Sequence, residues 1–226
     1  IVPTFNEERN IKDLINHIQS CEYGDQVEII ICDAPCSQDC GFDKALEVGA
    51  RAIKSPKAYR AFQMNYGARH ASHDILYFLH ADARPPHNFV DRIVSTLKQN
   101  SFGIFSYRFN SKHPLLKLNA YFTRFDGLFA GGGDQSLFIK RGKFEALGGF
   151  NANWRIMEDF DFYRRAKKAR MKFKIVKDPL LVSARKYEQN SWLKVNFVNL
   201  SIFTLFLTRG IRAQDKMIAL NRRLSN

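Results

Sequence analysis

Ile75-Leu76-Tyr77-Phe78-Leu79-His80-Ala81-Asp82-Ala83-Arg84 is the stretch that decides the fold of this chain. Five consecutive apolar residues, with Asp74 before them and a polar cluster after, read as a buried central strand. The run ends in a carboxylate, Asp82, and Pro85 and Pro86 stop the extended segment just beyond it. In open α/β sheets, ligands bind outside the carboxyl ends of the strands. An acid placed there can hold a hard divalent cation that shares its remaining coordination with phosphate oxygens. It can equally cap the next helix, and Asp82 alone does not separate the two readings.

Working outward, strands and helices alternate through the first hundred residues. Residues 1–4 end a strand, and Asn6 is placed to cap a helix reaching Ser20, with Ile11, Leu14, Ile15 and Ile18 as its buried stripe. A second apolar strand covers 27–32, followed by a loop over 33–40 and a helix near 42–48. A short strand at 51–54, a helix over 58–70, the Asp82 strand and a helix around 88–98 complete the series. This order predicts an α/β chain with a mostly parallel, Rossmann-like central sheet flanked by helices. Beyond residue 101 the pattern loosens: a loosely alternating segment at 102–109, then a Phe-rich helical or loop segment at 115–129. Gly131-Gly132-Gly133 leads into a strand at 136–139, and a helix at 143–147 stops at Gly148-Gly149. A helix over 158–170, a strand over 172–176 and a helical tail from about 188 follow.

At 226 residues and 45% hydrophobic content, the chain can bury one sizeable core. Ile1-Val2 reads as the tail of a strand already under way, so residues are expected to precede it. The four cysteines (Cys21, Cys32, Cys36, Cys40) crowd together rather than spacing out as a disulfide scaffold, which favours a reducing, cytoplasmic setting. The C-x3-C-x3-C run of Cys32, Cys36 and Cys40 lacks a nearby fourth ligand for a closed metal site, so free thiols are the preferred reading. The net charge of +13 is confined to one region: residues 164–226 hold 16 Lys and Arg against three acids, while residues 1–163 balance. Such a field attracts polyanions, either nucleic acid or an anionic membrane face.

Several loops carry a family resemblance. Ile1-Val2-Pro3-Thr4-Phe5-Asn6-Glu7-Glu8 is similar to the opening strand of family 2 glycosyltransferases, the inverting enzymes of GT-A fold. Asp33-Ala34-Pro35-Cys36-Ser37-Gln38-Asp39 resembles their D-G-x-S-x-D loop with Ala for Gly. The strand ending at Asp82 resembles their D-x-D strand, and Met157-Glu158-Asp159 their late E-D motif. Arg60-Ala61-Phe62-Gln63-Met64-Asn65, the His-Ala-Asp form of the metal motif, Gly133-Asp134-Gln135 and Ser183-Ala184-Arg185 resemble a small bacterial branch, the radical-SAM/selenodomain-associated transferases. The resemblance covers about 1–185 and implies a GT-A catalytic domain over 1–187, with a nucleotide-binding half to about 100 and an acceptor-binding half after it. Residues 188–226 form the basic tail.

A nucleotide-sugar donor needs a base pocket, a cation on its diphosphate, and a base for the acceptor hydroxyl. The family pattern implies that Asp33 accepts a ring N–H of the nucleobase, usually uracil; a turn-forming Asp is the alternative. Pro3, Thr4, Asn6 and Glu7 would line the same cleft, although Glu7 also suits the first turn of a helix. Asp82, next to Ala81 at the nucleotide, would ligate Mn²⁺ or Mg²⁺. His80 stands where most of the family has its first Asp, and imidazole is a poorer ligand for these ions. It reads either as a ribose or phosphate contact or as a core residue. Arg60 and Gln63 share a helical face that the family pattern places near the diphosphate, a solvated Arg being the alternative. Asp159 would be the general base and Glu158 its orienting partner, though acids at a helix start also have a structural reason. Asp134, Gln135 and Arg185 would face the donor sugar or acceptor.

Two rivals are weaker. A nucleotidyltransferase-like enzyme would want a basic phosphate loop where this chain has Asn6-Glu7-Glu8. A nucleic-acid-binding module rests on the tail alone and has no zinc-finger, K-homology or RNP signature. Within the tail, the 14 uncharged residues between Lys194 and Arg209 are too few to span a bilayer. With Val195, Val198, Ile202, Leu205 and Phe206 as an apolar stripe and basic residues after it, this segment reads as an interfacial helix, which implies a peripheral place on the inner membrane face and a lipid-linked acceptor. The alternative is that it packs on the catalytic domain or on a second copy in a homodimer.

Overall fold

A computed structural model of the chain describes residues 1–127 and 130–224. Leu128 and Phe129, which end the expected 115–129 segment, and Ser225 and Asn226, which end the tail, lie outside the described residues. Strand β1 (Val2–Thr4) leads to α1 (Glu8–Ser20), β2 (Ile30–Asp33) to α2 (Gly41–Glu47), and β3 (Arg51–Lys54) to α3 (Arg60–His70). Each strand reaches its neighbour through a helix, so β1, β2 and β3 pair in parallel. Strand β4 (Ile75–Phe78) extends the ladder on the other side of β1: Ile1 N donates to the Tyr77 carbonyl (2.8 Å) and Leu79 N to the Ile1 carbonyl (3.0 Å).

The second half adds β5 (Ala83–Arg84), α4 (Phe89–Leu97), β6 (Phe102–Phe109), α5 (Pro114–Phe122), β7 (Leu137–Lys140), α6 (Arg141–Ala146), α7 (Glu158–Lys168) and β8 (Phe173–Val182). Its strand order is β4-β7-β6-β8-β5. β7 is antiparallel to β4 and β6, β5 is antiparallel to β8, and β6 and β8 are parallel. Parallel strands therefore carry the first half and a mixed sheet carries the second. Helices cover both faces: Ile11, Leu14, Ile15, Phe89 and Ile93 pack on one, and Ala61, Met64, Phe144 and Phe162 belong to the core of the other.

Local chemistry moved several expected boundaries. Asn6 does not cap α1; it adopts a left-handed backbone (φ 54°), which Asn tolerates better than most residues, and its side-chain oxygen accepts from Gln38 N (2.8 Å). The first turn of α1 is served instead by Asp39, whose carboxylate accepts from Glu8 N at 2.7 Å. The expected strand over 27–32 pairs only from Ile30, after a turn of 3-10 helix at Gly24–Gln26. Strand β4 stops at Phe78; Ala83 N donates to the His80 carbonyl (3.2 Å), so Asp82 sits on a turn beyond the strand end rather than in it. Strand β8 runs past the expected Val176 to Val182 through a register shift opposite Phe105 and Tyr107, and Pro179, which has no N–H to donate, lies at that shift.

The tail consists of α8 (Arg185–Gln189), α9 (Trp192–Arg209) and α10 (Gln214–Arg222). The stripe expected to face lipid is covered: Val195, Val198, Ile202 and Phe206 are buried in one cluster with Trp154, Met157 and Met217, and Leu205 is packed against it. No described helix is long and apolar enough to cross a membrane.

Gly103, in the middle of β6, is a stringent position. A Cβ there would lie 2.3 Å from the fully buried Phe138 ring and 2.9 Å from the Lys174 carbonyl of β8. Gly103→Ala is expected to lower stability by about 1–3 kcal/mol, the usual cost of overpacking, read from the midpoint of urea unfolding at unchanged slope.

Candidate active site

Three parallel strands end side by side, and their last residues are Thr4, Asp33 and Lys54, paired in register. Asp33 is buried, and its carboxylate accepts from Thr4 Oγ1 (2.8 Å) and from Lys54 Nζ (2.5 Å). A carboxylate has about four acceptor positions, so two protein donors leave capacity for a ring N–H. Gln63 reaches in from α3 and donates to the carbonyls of Thr4 (2.8 Å) and Cys32 (2.7 Å). It staples the ends of β1 and β2 instead of facing a diphosphate, because both its donor hydrogens are taken by backbone. Pro3 is buried within β1. Asn6 N donates to Ser37 Oγ (2.9 Å), which fastens the first loop to the second along the rim of this cleft. Cys32 is buried in β2 while Cys36 and Cys40 are exposed on the loop after it, and all three are free thiols.

The turn after β4 brings Asp82 toward the same cleft. Burial pushes the Glu7 carboxyl up; a hydrogen bond from Asn10 opposes this, the Asp82 charge adds to it, and Arg185 counters it. Glu7, Asp82 and Arg185 are therefore electrostatic neighbours, although they come from three distant segments. Ala81 is buried and its carbonyl accepts from Arg84 (2.9 Å), so this residue shapes the turn through its backbone. Among the described residues no cluster of three or more His, Cys, Asp or Glu could hold a metal ion by itself. A half-buried carboxylate such as Asp82 fits a Mg²⁺-type ion nonetheless, since these ions take one or two carboxylates together with substrate phosphates rather than a cage of protein ligands.

The second cluster lies where α3 meets α7. Arg60 Nε donates to Glu158 Oε1, and Arg60 Nη2 lies 3.7 Å from Asp159 Oδ2. Glu158 is fully buried, and its Oε2 has no hydrogen-bond partner among the described residues. Asp159 is largely covered; burial first, and then the neighbouring Glu158 charge, push its carboxyl above the usual range, with Arg60 opposing. His80 stands nearby. Burial and then the Arg60 cation hold its imidazole below its ordinary value, so it is neutral at pH 7. Asp134 is more than half exposed, and its Oδ1 lies 3.8 Å from His80 Nδ1. Gly133 passes between His80 and Asp159 so closely that a Cβ would meet His80 at 2.5 Å and Asp159 at 2.6 Å. Gln135, expected at the sugar, is buried and braces this loop: its Oε1 accepts from Gly131 N (2.8 Å) and its Nε2 donates to the Thr123 carbonyl (3.0 Å).

Sequence reasoning missed two groups. Lys54 is the cationic partner of Asp33, and its place at the last position of a strand parallel to β2 was a usable signal. Asp39 is a motif residue in the sequence, and only the folded loop shows that it serves α1. The Arg60–Glu158 pair, 98 residues apart in sequence, had no local signal.

A Rossmann-like half whose strands end at a buried carboxylate, joined through a second turn carboxylate to a mixed sheet bearing a Gly-rich loop and an acidic helix start, defines a GT-A type protein. Residues 1–119 match the model of glycosyl transferase family 2, and the chain belongs to that family. Solved structures with the same fold include the mannosyltransferase PcManGT from Pyrobaculum calidifontis in complex with GDP-Man and Mn²⁺, with TM-score 0.70, 18% identity, and coverage of 99% of this chain and 68% of that one. TarS 1-349 from S. aureus in complex with UDP-GlcNAc matches with TM-score 0.64 and 12% identity over 80% of this chain, which spans 57% of that structure. Glucosyl-3-phosphoglycerate synthase from Mycobacterium tuberculosis with Mn²⁺, UDP and glucosyl-3-phosphoglycerate matches with TM-score 0.58 and 19% identity, covering 90% and 77% of the two chains. A search of curated protein sequences finds no match.

Removing Arg60 would leave the Glu158 carboxylate buried and uncompensated. Arg60→Gln is expected to cost about 3 kcal/mol of stability. Restoring neutrality in the double variant Arg60→Gln/Glu158→Gln should recover part of that loss in the same thermal or urea unfolding series.

Proposed function

We propose that this chain transfers a sugar from a nucleoside diphosphate donor, a UDP-sugar, to an acceptor hydroxyl with inversion at the anomeric carbon. The observation that carries the reading is Asp159: a largely buried carboxylate whose proton affinity is raised, placed beside Gly133 at the start of α7. A general base works best when its pKa approaches the operating pH, and burial next to a second carboxylate is how an aspartate is moved there. As the acceptor oxygen bonds to the anomeric carbon, Asp159 takes its proton. The bond to the diphosphate breaks with its electron pair on the leaving group. One displacement needs one base, and Glu158, paired with Arg60, holds Asp159 in place.

Asp82 would hold Mg²⁺ or Mn²⁺, which when bound neutralises the leaving diphosphate. Thr4, Asp33 and Lys54 would form the base site, with Pro3, Asn6 and Glu7 around it. Uracil and guanine both present a ring N–H to a carboxylate and cytosine presents an acceptor, so Asp33 favours the first two; the family pattern points to uracil. Neutral His80 would donate to or accept from a ribose or phosphate oxygen. Asp134 and Arg185, both exposed, would meet the sugar or acceptor. The domain division at residue 187 and the radical-SAM-associated branch are part of the same reading; the branch is supported by the Arg60–Asn65 segment and the His80 form of the metal motif. Mn²⁺ and nucleotides in the structural relatives belong to those proteins and support a donor of this class here.

UDP with Mn²⁺ is expected to raise the melting temperature, since a ligand bound only to the native state stabilises it. Asp82→Ala should abolish the metal-dependent part of the shift. A larger shift with GDP or CDP would overturn the base assignment.

Asp159→Asn should keep donor binding and lose turnover by about 10²–10⁴-fold. The base acts deprotonated, so its raised pKa moves the loss of kcat/KM on acidification to a pH well above the ordinary aspartate value of about 3.9. An acid limb at that ordinary value, or a retained anomeric configuration in the product, would rule out Asp159 as base or the single displacement.

A further inference from the structure

Helix α9 is apolar on two opposite faces. One, with Val195, Val198, Ile202 and Phe206, is buried against the catalytic half. At 100° per residue, Leu193, Phe197, Leu200, Thr204 and Leu207 fall within about 80° of one another on the other side. Leu193 is 72% exposed and Phe197 71%. Helix α5 presents a second stripe, Leu115, Leu118 and Phe122, also exposed. The two stripes adjoin: Asn119 Nδ2 donates to Asn196 Oδ1 (3.3 Å), and these residues border the exposed faces of their helices. With Tyr121 and Phe125 also exposed, α5 and α9 place a group of exposed large apolar side chains on two adjoining helices, the kind of clustering that marks an interaction surface.

The charge around the surface selects what covers it. Segments 110–125 and 189–214 contain no Asp or Glu, and they carry Lys112, Lys117, Arg124, Lys194, Arg209 and Arg212. All six are exposed. A second copy of this chain docked face to face would bring these acid-free basic segments against themselves, which like charges disfavour. An anionic lipid surface matches both properties, because apolar side chains enter the acyl boundary while Lys and Arg sit among headgroup charges. We propose that the joined faces of α5 and α9 dock this chain on an anionic membrane surface, with Phe197, Leu200, Leu118 and Phe122 inserted. The α5 end of the surface lies beside the Gly-rich loop, since Thr123 accepts from Gln135 next to Asp134. Docking would therefore hold the mouth of the site near the headgroups.

The test is co-sedimentation of the full chain with vesicles of phosphatidylcholine alone and of phosphatidylcholine mixed with phosphatidylglycerol, at low and high salt. Binding is expected only to the anionic vesicles and should weaken with salt. Phe197→Glu/Leu200→Glu should cut the bound fraction at least about tenfold with an unchanged melting temperature, because both side chains are already exposed. Lys117→Glu/Lys194→Glu should reduce it separately. Wild-type protein that binds neither vesicle, or binding indifferent to both pairs of changes, would overturn the proposal. So would light scattering that shows a dimer dissociated by Phe197→Glu without any vesicle binding. The readout involves no sugar transfer, so its outcome is independent of the proposed reaction.

Discussion

The contact between Arg60 and Glu158 joins two helices that are otherwise separate in the chain, and the site depends on it. Arg60 is the first residue of α3 and Glu158 the first of α7. A carboxylate buried as fully as Glu158 is tolerated only with a cation close by. That demand sets α7 against α3 at one end, and α3 is itself fixed to the strand ends by Gln63. The strand-end carboxylate Asp33 and the helix-start carboxylate Asp159 are thus tied to the same helix, α3. Arg60 opposes the rise of the Asp159 carboxyl, and burial still wins there.

Part of the backbone strain lies at the site. Of the described non-glycine residues with positive φ, Asn6 begins the first loop, Ser136 (φ 43°) follows the Gly-rich turn and Met157 (φ 70°) precedes Glu158, while Tyr23 and Arg170 lie elsewhere. Each such conformation costs about 1 kcal/mol or more, so packing elsewhere must hold it. For Met157 that packing comes from the tail: its side chain is buried in the cluster of Trp154, Val195, Val198 and Phe206. Trp154 and Phe206 meet at a tilt with centroids 5.2 Å apart, and Phe160 meets Phe203 edge-on at 5.3 Å. Helix α9 is therefore part of the support for the start of α7. One apolar face stabilises the catalytic half, and the other remains available for a surface outside the molecule.

How much could be read beforehand follows from the range of the interactions. The buried stripe of α1, the bounds of β3 and β6, and the alternation that makes the first half parallel rest on residues a few positions apart, and they stand where the pattern placed them. Asp33, Asp82, Glu158 and Asp159 were recognisable because a strand-end or helix-start acid leaves a mark in local sequence. Gln63 and Gln135 were recognisable as motif residues but not as braces. A glutamine reads the same whether its amide meets a ligand or a backbone carbonyl.

The amino-acid sequence by itself determined the alternation of strands and helices up to β4, the parallel first half and the carboxylates at its ends, because periodicity acts over one or two turns of chain. Tertiary structure alone decided that Arg60 meets Glu158, that Lys54 meets Asp33, that Gly133 passes between His80 and Asp159, and that protein rather than lipid covers the apolar stripe of α9. An apolar stripe read from periodicity carries no signal to say what packs on it. A buried charge chooses its partner only when two distant segments are packed together and water has been excluded.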